Sequence, residues 1–174
     1  MLQGIAKGDK MDFIIQKCTE LGIRRIIPVV TKRTVVQLTQ EKAKKRQERW
    51  QRIAEETAKQ SQRGLIPEVK EVTPLEEALK DLGDQPLLIP WEEEKVQTMK
   101  EVLQANKENN NSSLALLIGP EGGLDPEEVA LAKTYQGIPV TLGPRILRTE
   151  TAGMAALTMI LYELGDLGGT NIGS

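Results

Sequence analysis

The sequence predicts an α/β fold built on a parallel sheet, on three observations. Segments of strand and helix character alternate along the chain, which argues for successive βα units. Leu114-Ala115-Leu116-Leu117-Ile118 is apolar without a break, as in a parallel strand covered on both faces. Two Gly/Pro loops follow successive predicted strands, the position where open α/β sheets bind ligands.

The elements follow in order. Asp9 to Leu21 reads as a helix, because Phe13, Ile14, Lys17, Cys18 and Leu21 recur at helical spacing and Gly22 can stop it. Arg25 to Thr31 reads as a strand, and Pro28 within it predicts an edge position or a bulge. Glu41 to Arg63 is a long polar helix expected to end at Gly64, and Glu68 to Val72 a short strand. Thr73-Pro74-Leu75-Glu76 has the pattern of a capping box opening a helix to Leu82. Pro86 to Trp91 is a strand, Val96 to Ala105 a helix, and Asn106 to Ser113 a polar loop, expected to be mobile. Asp125-Pro126-Glu127-Glu128 is a strong helix start, with an Asp cap, Pro in the first turn and acids at the positive end of the dipole. Ile138 to Leu142 is the next strand, and Thr149 to Leu164 an apolar, Ala/Met-rich helix.

The chain has 174 residues, which suits one domain. That domain is expected over 1–165, with a disordered tail at 166–174. Histidine is absent, which excludes a Ser-His-Asp triad, a His base and His-ligated zinc. Cys18 is the single cysteine, so no intrachain disulfide forms and a reducing compartment fits. The longest largely apolar stretch, Gly153 to Tyr162, is too short to span a bilayer. The N-terminus lacks an apolar leader core. A soluble, cytoplasmic protein with no membrane partner is expected. No metal is expected either, since Glu92, Glu93 and Glu94 are consecutive and point different ways.

Charge is asymmetric. Residues 1–70 hold 16 Lys/Arg against 8 Asp/Glu, whereas residues 71–174 hold 7 against 17. The densest basic run is Lys42, Lys44, Lys45, Arg46, Arg49 and Arg52. Taken alone it reads as a solvated helix face with Glu48–Arg52 and Glu55–Lys59 pairs. Arg24, Arg25, Lys32 and Arg33 add charge elsewhere and point towards nucleic acid. With only Trp50 interleaved, base stacking is not its signature.

The chemistry is expected in two loops. One is Ile118-Gly119-Pro120-Glu121-Gly122-Gly123-Leu124, and the other runs from Leu142-Gly143-Pro144-Arg145 through Ile146-Leu147-Arg148 to Thr149-Glu150-Thr151-Ala152. Neither is a G-x-G-x-x-G or a P-loop cradle. The first alone reads equally as a ligand loop or as a Gly/Pro turn with a helix cap. Two on successive strands, the second with two Arg and a Glu, point to a ligand site.

Together with Lys7-Gly8-Asp9-Lys10-Met11-Asp12, Gln16 to Gly22, Arg49-Trp50 and Glu55 to Ser61, these loops resemble the SPOUT superfamily of RNA methyltransferases. Within it the sequence is similar to the 16S ribosomal RNA uridine-N3 methyltransferase family. Relatives that methylate ribose carry an Asn-Val-Ser type segment where this chain has Arg148-Thr149-Glu150-Thr151-Ala152, which favours base methylation.

The resemblance implies a parallel-sheet SPOUT fold with a C-terminal trefoil knot, an exception to unknotted topology. It also implies a homodimer, S-adenosyl-L-methionine as cofactor, and 16S rRNA within the small ribosomal subunit as substrate. The cofactor site would comprise Leu117, Ile118, Gly119, Pro120, Glu121, Gly122, Leu142, Gly143, Ile146 and Leu147. Within it, Glu121 either reaches a ribose hydroxyl or caps a helix, and Ile89-Pro90-Trp91 is a further candidate wall. Family members usually carry an N-terminal PUA-type RNA-binding barrel. This chain opens at Met1-Leu2-Gln3-Gly4, where that barrel would have ended. A shortened form or a relative lacking the barrel is therefore expected, with substrate recognition affected rather than cofactor binding.

Methyl transfer from a sulfonium is an in-line displacement, so positioning dominates. Loss of the uridine N3 proton needs a base and a stabiliser for charge on the ring carbonyls. Glu150 is the candidate base, or else a first-turn acid on a helix dipole. Arg148 or Arg145 is the candidate stabiliser or phosphate contact, with an Arg148–Glu150 ion pair as the other reading of Arg148. A non-catalytic ribosome-binding module, or a SPOUT methylase of another RNA, are the alternative functions.

Overall fold

The computed structural model describes residues 1–35, 39–108, 113–164 and 167–168. Its elements run β1 (Leu2–Gly4), α1 (Lys10–Leu21), β2 (Arg25–Val30), α2 (Gln40–Gln60), β3 (Glu68–Val69), β4 (Thr73–Pro74), α3 (Leu75–Asp81), β5 (Leu87–Pro90), α4 (Met99–Glu108), β6 (Ala115–Ile118), α5 (Pro126–Thr134), β7 (Gly137–Val140) and α6 (Thr149–Glu163). The strands form one sheet of order β3-β2-β1-β6-β5-β7, with β4 also paired to β2. Every pairing is parallel.

Two apolar layers cover the sheet, and the two-residue period of each strand decides which side chain enters which. Leu88, Leu116 and Ile118 join α1, α2, α4 and α6 on one face. Leu2, Leu87, Ile89, Ala115 and Leu117 join α3 and α5 on the other. The near-continuous apolar runs of β5 and β6 follow from this double covering. Cys18 lies in the first layer, fully buried, and burial pushes its thiol pKa up to about 12.

Several predicted boundaries shift for identifiable reasons. Pro28 is not at the sheet edge, because β2 pairs β1 on one side and β3 and β4 on the other. Ile27 donates to the Met1 carbonyl on the β1 side, so Pro28's missing donor faces outward, where β3 gives way to β4 and no ladder bond is needed. The helix α2 stops at Gln60 rather than reaching Gly64, with Gln62 at φ 55° turning the chain. The Thr73 capping box does not form: Pro74 is the cap residue, Thr73–Pro74 pairs with β2, and the Thr73 hydroxyl reaches Glu77 instead. The helix expected from Val96 starts at Met99, where Thr98 and Glu101 cap one another through side chain and backbone. It continues to Glu108, so Asn106, Lys107 and Glu108 are helical rather than loop. Most of the remaining loop, 109–112, and nearly all of the expected tail lie outside the described residues. The capping box at Asp125 and Glu128 forms as anticipated, and Glu128 also accepts from the Lys32 amide at 2.7 Å.

Candidate active site

A cavity of about 360 Å³ opens over the C-terminal ends of β5, β6 and β7, which are neighbours in the sheet. Its size is in the range of a small-molecule site. Three loops build it, one after each strand: 91–98, 119–124 and 141–148.

The 119–124 loop is tied on every side. Gly123 donates to the Pro120 carbonyl at 2.9 Å, closing a tight turn with Gly123 at φ 70°. Arg33 donates to the Gly122 carbonyl at 2.9 Å. The Thr149 hydroxyl, at the start of α6, donates to the Gly119 carbonyl at 2.6 Å and lies 3.0 Å from the buried Gln3 amide nitrogen. Glu121 accepts from the Lys7 amide at 2.9 Å and from Lys10 Nζ at 3.0 Å. Glycine is required where the loop meets its surroundings. A Cβ on Gly119 would stand 2.8 Å from the Gly123 carbonyl carbon, and one on Gly4 would stand 2.6 Å from Pro120.

Glu121 therefore neither caps α5, which Asp125 does, nor stands free for a ligand. Partial burial would raise its pKa, but the Lys7 amide and Lys10 outweigh this and hold it below the ordinary 4.5. A depressed carboxyl pKa stabilises the fold above the unfolded value, and this contribution fades as pH falls through the folded value. Wild type is thus expected to melt about 2 °C above Glu121→Gln at neutral pH, as suits a partly exposed pair. The two melting curves should converge near pH 3, and a gap independent of pH would rule out this role.

Most of the anticipated site residues meet at the cavity. Ile118, Gly119, Pro120, Glu121, Leu142, Gly143, Ile146 and Leu147 line it, as do Arg145, Arg148 and Glu150. Two others do not. Leu117 is one residue out of phase with Ile118, so its side chain is fully buried in the opposite layer. Gly122 turns its α-carbon face to Arg33, with the place of a Cβ 3.2 Å from the Arg33 Cβ. The suggested Arg148–Glu150 ion pair does not form; among the described residues neither Arg145 nor Arg148 has a carboxylate partner, and both are exposed.

Of the further candidate wall, Pro90 and Trp91 line the cavity, with Glu92, Lys95, Lys10, Leu124, Thr141, Thr149 and Ala152, whereas Ile89 is fully buried in the opposite layer. Glu92 and Lys95, after β5, were hidden from sequence reasoning because nothing local says that β5 lies between β6 and β7. Two polar atoms here are buried without a partner: Glu150 Oε2, an acceptor, and Trp91 Nε1, a donor. Orphaned buried groups cost about 1–3 kcal/mol each, and a bound ligand is one way to satisfy them. Apolar side chains interspersed with charged ones fit a ligand that carries both apolar and charged, hydrogen-bonding parts.

Residues 1–161 match the RNA methyltransferase domain. The chain belongs to the RNA methyltransferase domain family. It is 42% identical over 163 residues to ribosomal RNA small subunit methyltransferase E of Bacillus subtilis, covering 92% of this chain and 64% of that protein. The enzyme of the same name from Buchnera aphidicola of Schizaphis graminum is 34% identical, over 95% of this chain and 65% of its own length. The domain thus spans slightly less than two thirds of these relatives. It also superposes on the crystal structure of the Neisseria gonorrhoeae methyltransferase E bound to S-adenosyl methionine. That match has a TM-score of 0.83 and 36% identity, covering 95% of this chain and 66% of that one. The RNA methyltransferase domain accordingly has the parallel-sheet SPOUT architecture. No described helix is long and apolar enough to cross a membrane, and the described residues hold no group of three or more acidic, Cys or His side chains placed for a metal.

Proposed function

We propose that this domain binds S-adenosyl-L-methionine in the cavity above β5, β6 and β7 and methylates N3 of a uridine in 16S rRNA of the small ribosomal subunit. The observation that carries the reading is the buried, unpartnered Glu150 oxygen in a cavity that Arg145 and Arg148 rim. When bound, the cofactor supplies an electrophilic methyl group. Glu150 accepts the N3 proton as the methyl bond forms, and Arg148 or Arg145 offsets the negative charge that spreads onto the ring carbonyls. Ile118, Leu142 and Leu147 offer apolar surface to the adenine, and Trp91 Nε1 offers a donor.

The chain topology supports a threaded C-terminal segment. β7 lies at one edge, yet α6 begins beneath the 119–124 loop and packs on the far face from α5. Exposed Met159 and Tyr162 on α6 support a homodimer. A cytoplasmic location would follow from the ribosomal substrate.

The test is titration of S-adenosylmethionine into the purified protein, with its mass in solution. Methylation of assembled small subunits and of naked 16S rRNA would follow, with nucleoside analysis. Micromolar binding by a dimer and 3-methyluridine as product are expected. A folded dimer that binds no cofactor, or a ribose-methylated product, would overturn the reading. Trp91→Phe sharpens it, because the change removes an orphan donor and keeps an aromatic ring, though a smaller one. Relief of the orphan and loss of ring contact offset one another in stability, while cofactor affinity falls about 10-fold; unchanged affinity would remove Trp91 from the site.

A further inference from the structure

We propose that the first half of α2 is the surface on which this domain holds the phosphate backbone of structured RNA. The inference rests on the methyltransferase reading above and adds the place where the polymer lies.

Lys42, Lys45, Arg46 and Arg49 stand at i, i+3, i+4 and i+7, with Arg52 one turn further. They therefore form one stripe along the helix, about 15 Å from Lys42 to Arg52. The adjoining face of α2 carries Trp50, Ala54, Thr57 and Ala58 into the core, so Arg46 at its border is half-buried while Lys42, Lys45, Arg49 and Arg52 are exposed. The protein uses little of this charge internally. Arg49 is held by Asp12, and Lys45 by Glu41 one turn before it. Lys42, Arg46 and Arg52 have no carboxylate partner among the described residues, and neither the Glu48–Arg52 nor the Glu55–Lys59 pair suggested by spacing forms. Three cations outside the stripe differ. Lys32 is paired to Glu127 and Asp125, Arg33 to Asp125, and Arg25 to Glu68.

The stripe is also placed correctly. Arg49 lies beside Asp9 and Asp12 at the start of α1, while Arg63 donates to the Thr19 and Ile23 carbonyls at its end. The two helices therefore run side by side in the same direction. The start of α1 reaches the cavity, since Lys10 lines it and binds Glu121. Residues before Arg49 extend past this level by about 10 Å, towards the end of the molecule on which the cavity opens. On the other face of the sheet, α3 and α5 carry Glu76, Glu77, Asp81, Glu127 and Glu128 against Lys80 and Lys133. The field thus steers a polyanion to one side. Because Trp50 is buried, the stripe offers charge without a stacking platform. That suits the backbone of folded RNA rather than splayed bases.

The test compares Lys42→Gln/Arg46→Gln/Arg52→Gln with Lys80→Gln/Lys100→Gln/Lys133→Gln, which loses the same charge on α3, α4 and α5. Binding of a fluorescein-labelled 20-base-pair RNA hairpin is measured by anisotropy across salt concentrations, and S-adenosylmethionine binding by calorimetry on the same samples. The stripe variant should lower the salt slope by about 2–3 and weaken binding at least 10-fold at 0.1 M salt, with cofactor affinity unchanged. The distal variant should stay within about 2-fold of wild type. Equal losses in both variants, no RNA binding by wild type, or capture of poly-glutamate as tightly as RNA would overturn the surface. Should half-buried Arg46 prove necessary for folding, the fully exposed pair Lys42→Gln/Arg52→Gln gives the same comparison. Stripe-dependent RNA binding without cofactor binding would leave the surface standing and remove the methyltransferase reading instead.

Discussion

Glu150→Gln is expected to slow single-turnover methyl transfer about 10²–10⁴-fold, the range for removing a positioned general base. Cofactor affinity should change less than about 3-fold, because the amide keeps the side chain's size and one oxygen acceptor. Glu150 is the second residue of α6, so an acid there would also favour the helix dipole. The two roles separate cleanly. A dipole role predicts a loss of about 0.3–1 kcal/mol in stability and little loss in rate. A base role predicts the reverse, and because the carboxylate oxygen is already unpartnered, the variant should melt no lower than wild type. Wild-type turnover by Glu150→Gln would assign the proton to another acceptor.

Gly119→Ala is expected to abolish measurable cofactor binding in a protein that still folds. The added Cβ would stand 2.8 Å from the Gly123 carbonyl carbon and 2.9 Å from the Leu124 nitrogen. Both are backbone atoms in a turn already bonded to Arg33, Thr149, Lys7 and Lys10. The turn must open, and it forms one wall of the cavity. Overpacking of this kind costs about 1–3 kcal/mol, or a melting point lower by about 3–10 °C, with cofactor affinity down at least 100-fold. Gly64→Ala is the matched control, since nothing lies within 4 Å of its added carbon. It should behave as wild type in both measurements. Normal cofactor binding by Gly119→Ala would mean that the 119–124 loop is not the wall of the cofactor site.

How far the site was legible follows from the range of the forces that make each feature. Asp125-Pro126-Glu127-Glu128 announced its helix because a capping box is closed by atoms three residues apart. The Thr73 pattern has the same cap-Pro-x-Glu form but failed, since pairing of Thr73–Pro74 with β2 drew the cap residue into the sheet. Ile118 and Leu117 show the same limit. Adjacent in an unbroken apolar run, both suited a cavity wall, but only the strand's phase against its neighbours sends one to the cavity and the other to the opposite layer. Glu121 was legible as a polar group in a ligand loop, yet its partners Lys7 and Lys10 are more than 100 residues away in the chain.

By itself, then, the sequence determined the alternating α/β order, the chemistry excluded by the absence of histidine, and the two Gly/Pro loops that form much of the site. These depend on local periodicity, caps and side-chain chemistry, all of which act within a few residues. Only the tertiary structure decided that β5 lies between β6 and β7, bringing Trp91 into the cavity. It also decided that Gln3 and Thr149 hold the 119–124 loop, and that Lys32 and Arg33 are bound to acids while Lys42, Arg46 and Arg52 have none among the described residues. Strand order and ion pairing are set by contacts between segments far apart in the chain. Many pairings satisfy the same local pattern, and the packed fold selects one.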